Sequence, residues 1–271
     1  HTTDDLADSE RRFTLSREDL ALINPNTCTV PVFRTRRDAE LTRKLYRAAP
    51  VLVNDETGEI QIHKCLTTPK DPSDAVEEGI KEMAKKNPGF VAQLEEVIHG
   101  TTLVINAIIE RKGAKTGLIT TKGFRDVLEL GREKRYDTYD IFAVYPEPLV
   151  PRPLRLEVNE RITSDGRILR KLDTEEVKRV LQELLDKGIE SLAVCLINSF
   201  ENPTHEFLIK EIVTQQAPHL SLSISYEVLP QIREYERTST TVTNAYVKPL
   251  TGSYLARLSG RLESIGSTGT V

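Results

Sequence analysis

The residues able to do chemistry in this 271-residue chain lie in three places. The first is His99-Gly100-Thr101-Thr102, followed four positions later by Asn106, at a point where a strand-like run gives way to a helix-like one. Hydroxyls and unpaired amides at a helix start can take an anion or a polar substrate. A Ser/Thr cap that closes the helix is the competing reading for either threonine. Asn106 comes one helical turn after Thr102, so the two share a face and can point into one pocket. His99 can act as a general base or as a hydrogen-bonded structural histidine. The second place is the charged run Arg132, Glu133, Arg135, Asp137 and Asp140, whose default reading is a solvated face. The third is Arg233-Glu234-Tyr235-Glu236-Arg237 before Thr238, Ser239 and Thr240. On a helix, Arg233 and Arg237 would share one face and Glu236 and Thr240 another, as on a salt-bridged helix surface. No GxSxG, Walker A or zinc-ligand spacing occurs, so serine-hydrolase and metalloprotease chemistry have no support and no metal ligands are assigned.

The elements that must position these residues follow from the apolar pattern. VLVNDETGEIQIHKC alternates apolar and polar residues around Asn54–Gly58, a β-hairpin signature. Asp71-Pro72 supplies an N-cap and a first-turn proline for a helix whose Val76, Ile80 and Met83 recur at helical spacing. Further along we expect a strand at Leu94–Ile98, a helix at Leu103–Lys112 stopped by Gly113, a strand at Thr116–Thr120 and a helix from Phe124 to about Arg135. A proline-rich connector at Tyr145–Pro153 precedes a strand at Leu154–Ile162 and a turn at Ser164-Asp165-Gly166. The helix from Thr174 to Lys187 has Asp173 as N-cap, Glu176 as reciprocal partner and Gly188 past its end. Then come a strand at Ser191–Ile197, a helix at Thr204–Gln216, a strand at Leu220–Val228 and a helical tail from Ile232 to Ile265, with a break at Pro249. Strands alternating with helices after a hairpin imply an α/β fold with a mixed sheet flanked by helices. Residues 1–49 are polar, with a basic cluster at Arg34, Arg36 and Arg37 and one candidate helix at Asp38–Tyr46; they read as a divergent or disordered segment.

Composition bounds the function. A net charge of −4 gives no general attraction to nucleic acid or anionic membrane, and no apolar run reaches the ~20 residues of a bilayer span. Cys28, Cys65 and Cys195 are far apart and odd in number, which reads as reduced thiols of a cytoplasmic protein.

Four collinear blocks carry a resemblance: His99–Phe142 (HGTTLVINAIIERKGAKTGLITTKGFRDVLELGREKRYDTYDIF), Pro146–Ile162 (PEPLVPRPLRLEVNERI), Val194–Glu206 (VCLINSFENPTHE) and Ser225–Pro249 (SYEVLPQIREYERTSTTVTNAYVKP). Together they resemble the N-terminal domain of the hydantoinase A/5-oxoprolinase family, which includes N-methylhydantoinases and the large subunits of acetone and acetophenone carboxylases. The resemblance implies a ribonuclease-H-like domain of the actin/sugar-kinase type over 50–230, with 231–271 as the helical start of a truncated second domain. It implies ATP and Mg²⁺ as cofactors, a small cyclic amide as substrate, and a second subunit or homo-oligomer as partner. ATP would convert the amide oxygen into a leaving group, or an enol oxygen in the carboxylase branch. The substrate- or phosphate-binding candidates are Thr101, Thr102, Asn106, Arg132 and Arg237; the catalytic residues stay unassigned. Arg132 gains weight from the Gly131-Arg132 pair and would grip a carboxylate or phosphate bidentately.

One departure stands out. The family's first strand carries a glycine-rich DxGGTFTD segment, whose backbone approaches phosphates, whereas Phe33–Pro50 (FRTRRDAELTRKLYRAAP) holds no glycine. With a first residue of His and an end soon after Ile265, the chain reads as a fragment that lacks its usual first strand and is inactive alone. A non-catalytic subunit or pseudoenzyme of the same fold is the alternative, and a ketone-carboxylase subunit a further one.

Overall fold

The computed structural model describes residues 47–48, 50–54, 60–66, 71–95, 97–132, 139–140, 142 and 146–267. The expected helix at Asp38–Tyr46 and the other features before Arg47 lie outside the described residues, as do Glu133, Arg135 and Asp137. Two compact units emerge, one formed by the chain up to Ile109 together with Thr251 onward, the other by Glu110–Leu250. These units cut across the 50–230 span expected from the resemblance.

In the first unit, β1 (Arg47–Ala48) pairs antiparallel with β4 (Cys65–Leu66), and β2 (Val51–Val53) pairs antiparallel with β3 (Ile60–Ile62) as expected, with Val51 opposite Ile62. Helix α1 (Pro72–Lys86) starts as its sequence dictates: Asp71 accepts from the Ser73 amide at 3.1 Å and the Ser73 hydroxyl at 2.6 Å, and Ala75, Ile80 and Met83 are buried. The core of this unit joins Ile80 to Tyr254, Leu258 and Leu262, which recur every four residues along one helix stripe. Arg261 ties the unit further by pairing with Asp71, Asp74 and Glu77. Among the described residues of Leu94–Ile98 no strand forms. A 3₁₀ turn occupies Phe90–Gln93 instead, and Ile98 stands 87% exposed, so the apolar run found no ladder to join. Helix α2 (Leu103–Ile109) is shorter than expected. Arg111, not Gly113, takes the left-handed backbone after it, with φ 56°.

The second unit is built on a four-stranded, wholly parallel sheet in the order β10-β9-β5-β6. Its strands are β5 (Thr116–Thr121), β6 (Arg155–Val158), β9 (Ser191–Cys195) and β10 (Ser221–Ile224). β5 and β9 are buried at every position, as central parallel strands covered on both faces must be. A short helix α3 (Val127–Leu130) follows β5, and a small hairpin of β7 (Arg161–Ile162) and β8 (Ile168–Arg170) follows β6. Helices α4 (Thr174–Asp186) and α5 (Thr204–Gln216) supply Val177, Leu181, Leu184, Ile209 and Val213 to a core completed by Leu118, Ile119, Leu192, Val194 and Leu196. Asp173 caps α4 through the Glu175 amide at 3.0 Å; Glu176 does not return to the cap but accepts the Asn159 amide at 2.8 Å.

The expected strand at Leu220–Val228 stops at Ile224, where the chain turns into one helical turn, α6 (Ser225–Val228). The tail is one helix, α7 (Glu234–Ser264), which continues through Pro249 instead of breaking there. A helical φ suits the pyrrolidine ring and the loss is one backbone bond. Buried Val242, Ala245 and Tyr246 before it and Tyr254, Leu258 and Leu262 after it hold the two stretches helical.

Candidate functional site

All four strands of the parallel sheet run the same way, so their carboxyl ends share one edge. The chain passes from β5 to β6 on one side and then returns to β9 and β10 on the other. This places a topological switch point between β5 and β9, where ligands of open α/β sheets collect.

Two buried polar clusters occupy that edge. In the first, Thr121 at the end of β5 accepts the Ile197 amide at 3.0 Å and donates its hydroxyl to Glu160, while His205 Nδ1 meets the other Glu160 oxygen at 2.7 Å. Ends of β5, β6 and β9 are thereby tied by side chains no more than 2% exposed. In the second, Glu206, in the first turn of α5, accepts from the Leu196 amide at 2.9 Å, the Tyr226 amide at 2.9 Å and the Ser225 hydroxyl at 2.6 Å. Burial pushes its carboxyl above the usual carboxylate range, while the hydrogen bonds from Ser225, Leu196 and Tyr226 pull the other way. Ser225, whose hydroxyl hydrogen is donated in the bond to Glu206, must accept from its other neighbours. Ser199 therefore donates to it across 3.0 Å, and Arg237 Nη1 donates to both hydroxyls, at 2.9 Å for Ser225. Arg237 and Glu206 are thus joined through the serine hydroxyls within one buried cluster.

Arg237 is fully buried, with its guanidinium carbon 5.5 Å from the Phe200 ring centre. Its Nε and Nη2 have no partner among the described residues. Two unmet donors on a desolvated cation are costly. Arg233 does not share its helix face as expected: it precedes α7 with φ 79° and its carbonyl accepts the Arg237 amide at 3.1 Å.

Arg132 is exposed and donates from Nε to Glu236 at 2.7 Å. The threonine-asparagine group belongs to the first unit. There Thr101 accepts the Leu103 amide at 3.2 Å, which is the capping role, and Asn106 Nδ2 reaches the Thr102 hydroxyl at 3.4 Å on the shared face that its spacing predicts. Asn106 Oδ1 is buried without a donor among the described residues. His99 Nε2 sits 2.8 Å from the Tyr254 hydroxyl, and burial lowers its pKa below the ordinary histidine value. It is a neutral, hydrogen-bonded histidine. Thr101, Thr102, Asn106 and His99 thus come together in one unit, and Arg132 and Arg237 lie in the other. Among the described residues no group of three or more His, Cys, Asp or Glu side chains is placed to hold a metal ion. Likewise no described helix is long and apolar enough to cross a membrane.

Glu160, His205, Glu206, Thr121, Ser199 and Ser225 carry no role in the sequence reading, although all six sit within blocks already singled out. A signal was available: acidic or hydroxyl residues directly after apolar strands, and a His-Glu pair opening a helix.

The family described as hydantoinase/oxoprolinase N-terminal region matches residues 50–217. The chain is 35% identical over 222 residues to the caprolactamase subunit alpha of Pseudomonas jessenii, covering 80% of this chain and 32% of that protein. The crystal structure of that ATP-dependent caprolactamase superposes with a TM-score of 0.74 at 34% identity, again over 80% of this chain and 32% of the other. The acetophenone carboxylase gamma subunit of Aromatoleum aromaticum is 34% identical over 70% of this chain and 28% of its own length. Arabidopsis thaliana 5-oxoprolinase 1 is 30% identical over 69% of this chain and 17% of its own. The chain therefore spans about a third or less of these relatives.

Proposed function

This chain belongs to the hydantoinase/oxoprolinase family, and from that premise we propose that it forms part of an ATP-dependent enzyme that opens a cyclic amide ring. The observation that carries the reading is the joint agreement in sequence and fold with an ATP-dependent caprolactamase subunit across four-fifths of this chain. The domain is read as ribonuclease-H-like, as the resemblance implies. ATP, when bound, supplies the phosphoryl group that converts an amide oxygen into a leaving group. This chain's own part is binding and orientation. Arg237, held rigid by Ser199, Ser225 and the Phe200 ring, offers Nε–H and Nη2–H to a substrate or phosphate oxygen. Within the first unit, Asn106 offers an unmet amide oxygen to a polar ligand. Arg132 supplies charge where the substrate carries a carboxylate.

A second reading, a non-catalytic subunit of the same fold, draws support from the glycine-free stretch Phe33–Pro50. A chimera separates the two. This chain replaces the matching third of the caprolactamase alpha subunit, and ring opening is followed with caprolactam, hydantoin and 5-oxoproline by ADP release and by the ring-opened acid. Ring opening that requires ATP supports the enzyme. A folded, assembled chimera inactive on all three supports the non-catalytic subunit, and ADP formation that requires a ketone and bicarbonate supports a carboxylase subunit. The chain alone should release no phosphate from ATP with any of these rings.

A further inference from the structure

Beside the buried clusters, at the carboxyl ends of β5 and β6, lies an open cleft of about 480 Å³ lined by Lys122, Asn159, Glu160, Arg161, Leu169 and Arg170. Three cations face one carboxylate there, and that carboxylate is turned away: both Glu160 oxygens are engaged inward, by the Thr121 hydroxyl and His205 Nδ1. Neighbouring arginines have acidic partners, Arg152 with Asp126 and Arg167 with Asp165. Lys122, Arg161 and Arg170 have none among the described residues. Among the described residues, Arg161 stacks its guanidinium carbon 5.1 Å from the Phe124 ring centre without a side-chain hydrogen bond, and Arg170 engages Nη1, on the Asn159 amide oxygen. The backbone under them is pinned, with the Lys122 amide on the Val158 carbonyl at 3.0 Å and the Gly123 amide on Glu157 at 2.7 Å. Like charges gathered on a fixed concave wall repel one another unless an anion joins them.

We propose that this cleft seats a phosphate group, either inorganic phosphate or the terminal phosphates of a nucleotide. Three cations against one carboxylate leave a formal charge of +2, which matches a phosphate dianion better than a single carboxylate. The planar forks of Arg161 and Arg170 and the point charge of Lys122 suit its several oxygens. The size falls within the ~300–1,000 Å³ of small-molecule sites, so a nucleotide's phosphates fit as well as the free ion. The site uses none of the residues assigned to amide binding, and its test needs no turnover. It therefore stands or falls apart from the proposed activity.

The test is calorimetric titration of the chain with inorganic phosphate, in a buffer free of other multivalent anions. Lys122→Met and Arg161→Gln are compared with Lys178→Met, a half-exposed lysine of α4 paired with Glu175. Saturable binding is expected, weakened about tenfold or more by each cleft variant and unchanged in the control. Melting temperatures establish that the variants fold, and Lys122→Met, at an exposed position, carries the test if Arg161→Gln does not. ADP binding tighter than phosphate, and displaced by it, assigns the nucleotide; indifference to ADP assigns the free ion. No saturable binding to the wild-type chain, or a loss shared equally by Lys178→Met, overturns the proposal.

Discussion

The carboxyl edge of the parallel sheet and the His99–Asn106 segment are both polar stretches at the junction of strand-like and helical runs, yet they are finished differently. At the sheet edge, Glu206 alone takes three donors, and Thr121, Glu160 and His205 close on one another. Around Asn106 one long 3.4 Å contact to Thr102 serves the side chain, its oxygen is unmet, and Ile98, Ile105 and Ile109 stand exposed nearby in the sequence. A polar group under a covering of helices has to be satisfied from within. One beside exposed surface can wait for water or a ligand. Among the described residues the first region is therefore satisfied from within apart from Arg237 Nε and Nη2, and the second leaves Asn106 Oδ1 unmet.

Substituting the centre of the closed region should have the largest effect. Glu206→Ala strands two amides and a hydroxyl, and should cost about 3–5 kcal/mol in urea unfolding followed by circular dichroism. Asn106→Ala is the counterpart. It deletes an unmet acceptor and improves helix propensity, so stability should shift by less than about 1 kcal/mol. Equal losses in the two variants would remove the distinction drawn between the regions.

A packing change comes next. A Cβ added at Gly113 would overlap the ring of Tyr246, which is itself buried. Gly113→Ala should cost about 1–3 kcal/mol by forcing that ring aside. A neutral result in the same unfolding experiment would show that the ring moves freely and that the glycine serves no close approach.

Local rules carried much of the fold from sequence alone. The Asp71-Pro72 start of α1, the Asp173 cap of α4, the buried run of β9 and the bounds of α5 need only neighbours a few residues away. What could not be read depends on partners far along the chain. Leu94–Ile98 has strand-like residues but no ladder beside it, and Glu176 left its capping box for an amide 17 residues back. The same holds for the site. Arg237 was legible as an arginine in a quoted motif, but its burial against Ser199, 38 residues away, was not. Neither was the meeting of Glu160 with His205 across 45 residues.

The two regions should also differ in their response to acid. Burial lowers the His99 pKa, so below the ordinary histidine value of about 6.5 the unfolded chain takes up a proton that the folded chain resists. Stability present above that pH is lost as pH falls. Glu206 acts in the opposite sense: its raised pKa adds stability at low pH that fades as pH rises through the folded value. Comparing wild type with His99→Gln isolates the first effect. Between about pH 7 and pH 5 the wild type should lose more unfolding free energy than the variant; parallel curves would mean that His99 is not desolvated.

The smallest effect on stability belongs to Arg132, and it is informative for that reason. Its pair with Glu236 is exposed to water, where Coulomb attraction is weak and screened. Arg132→Ala should leave unfolding unchanged at low and high salt. Its consequence, if it is the carboxylate or phosphate anchor, should emerge only in turnover of the chimera, as a raised KM with kcat nearly constant, partly recovered by Arg132→Lys. Glu236→Gln should then act in reverse, since it releases the guanidinium from its resting partner and should lower KM. Unchanged KM and kcat in both variants would return Arg132 to the solvated face that its charged surroundings suggest, and would leave Arg237 as the arginine anchor of the substrate.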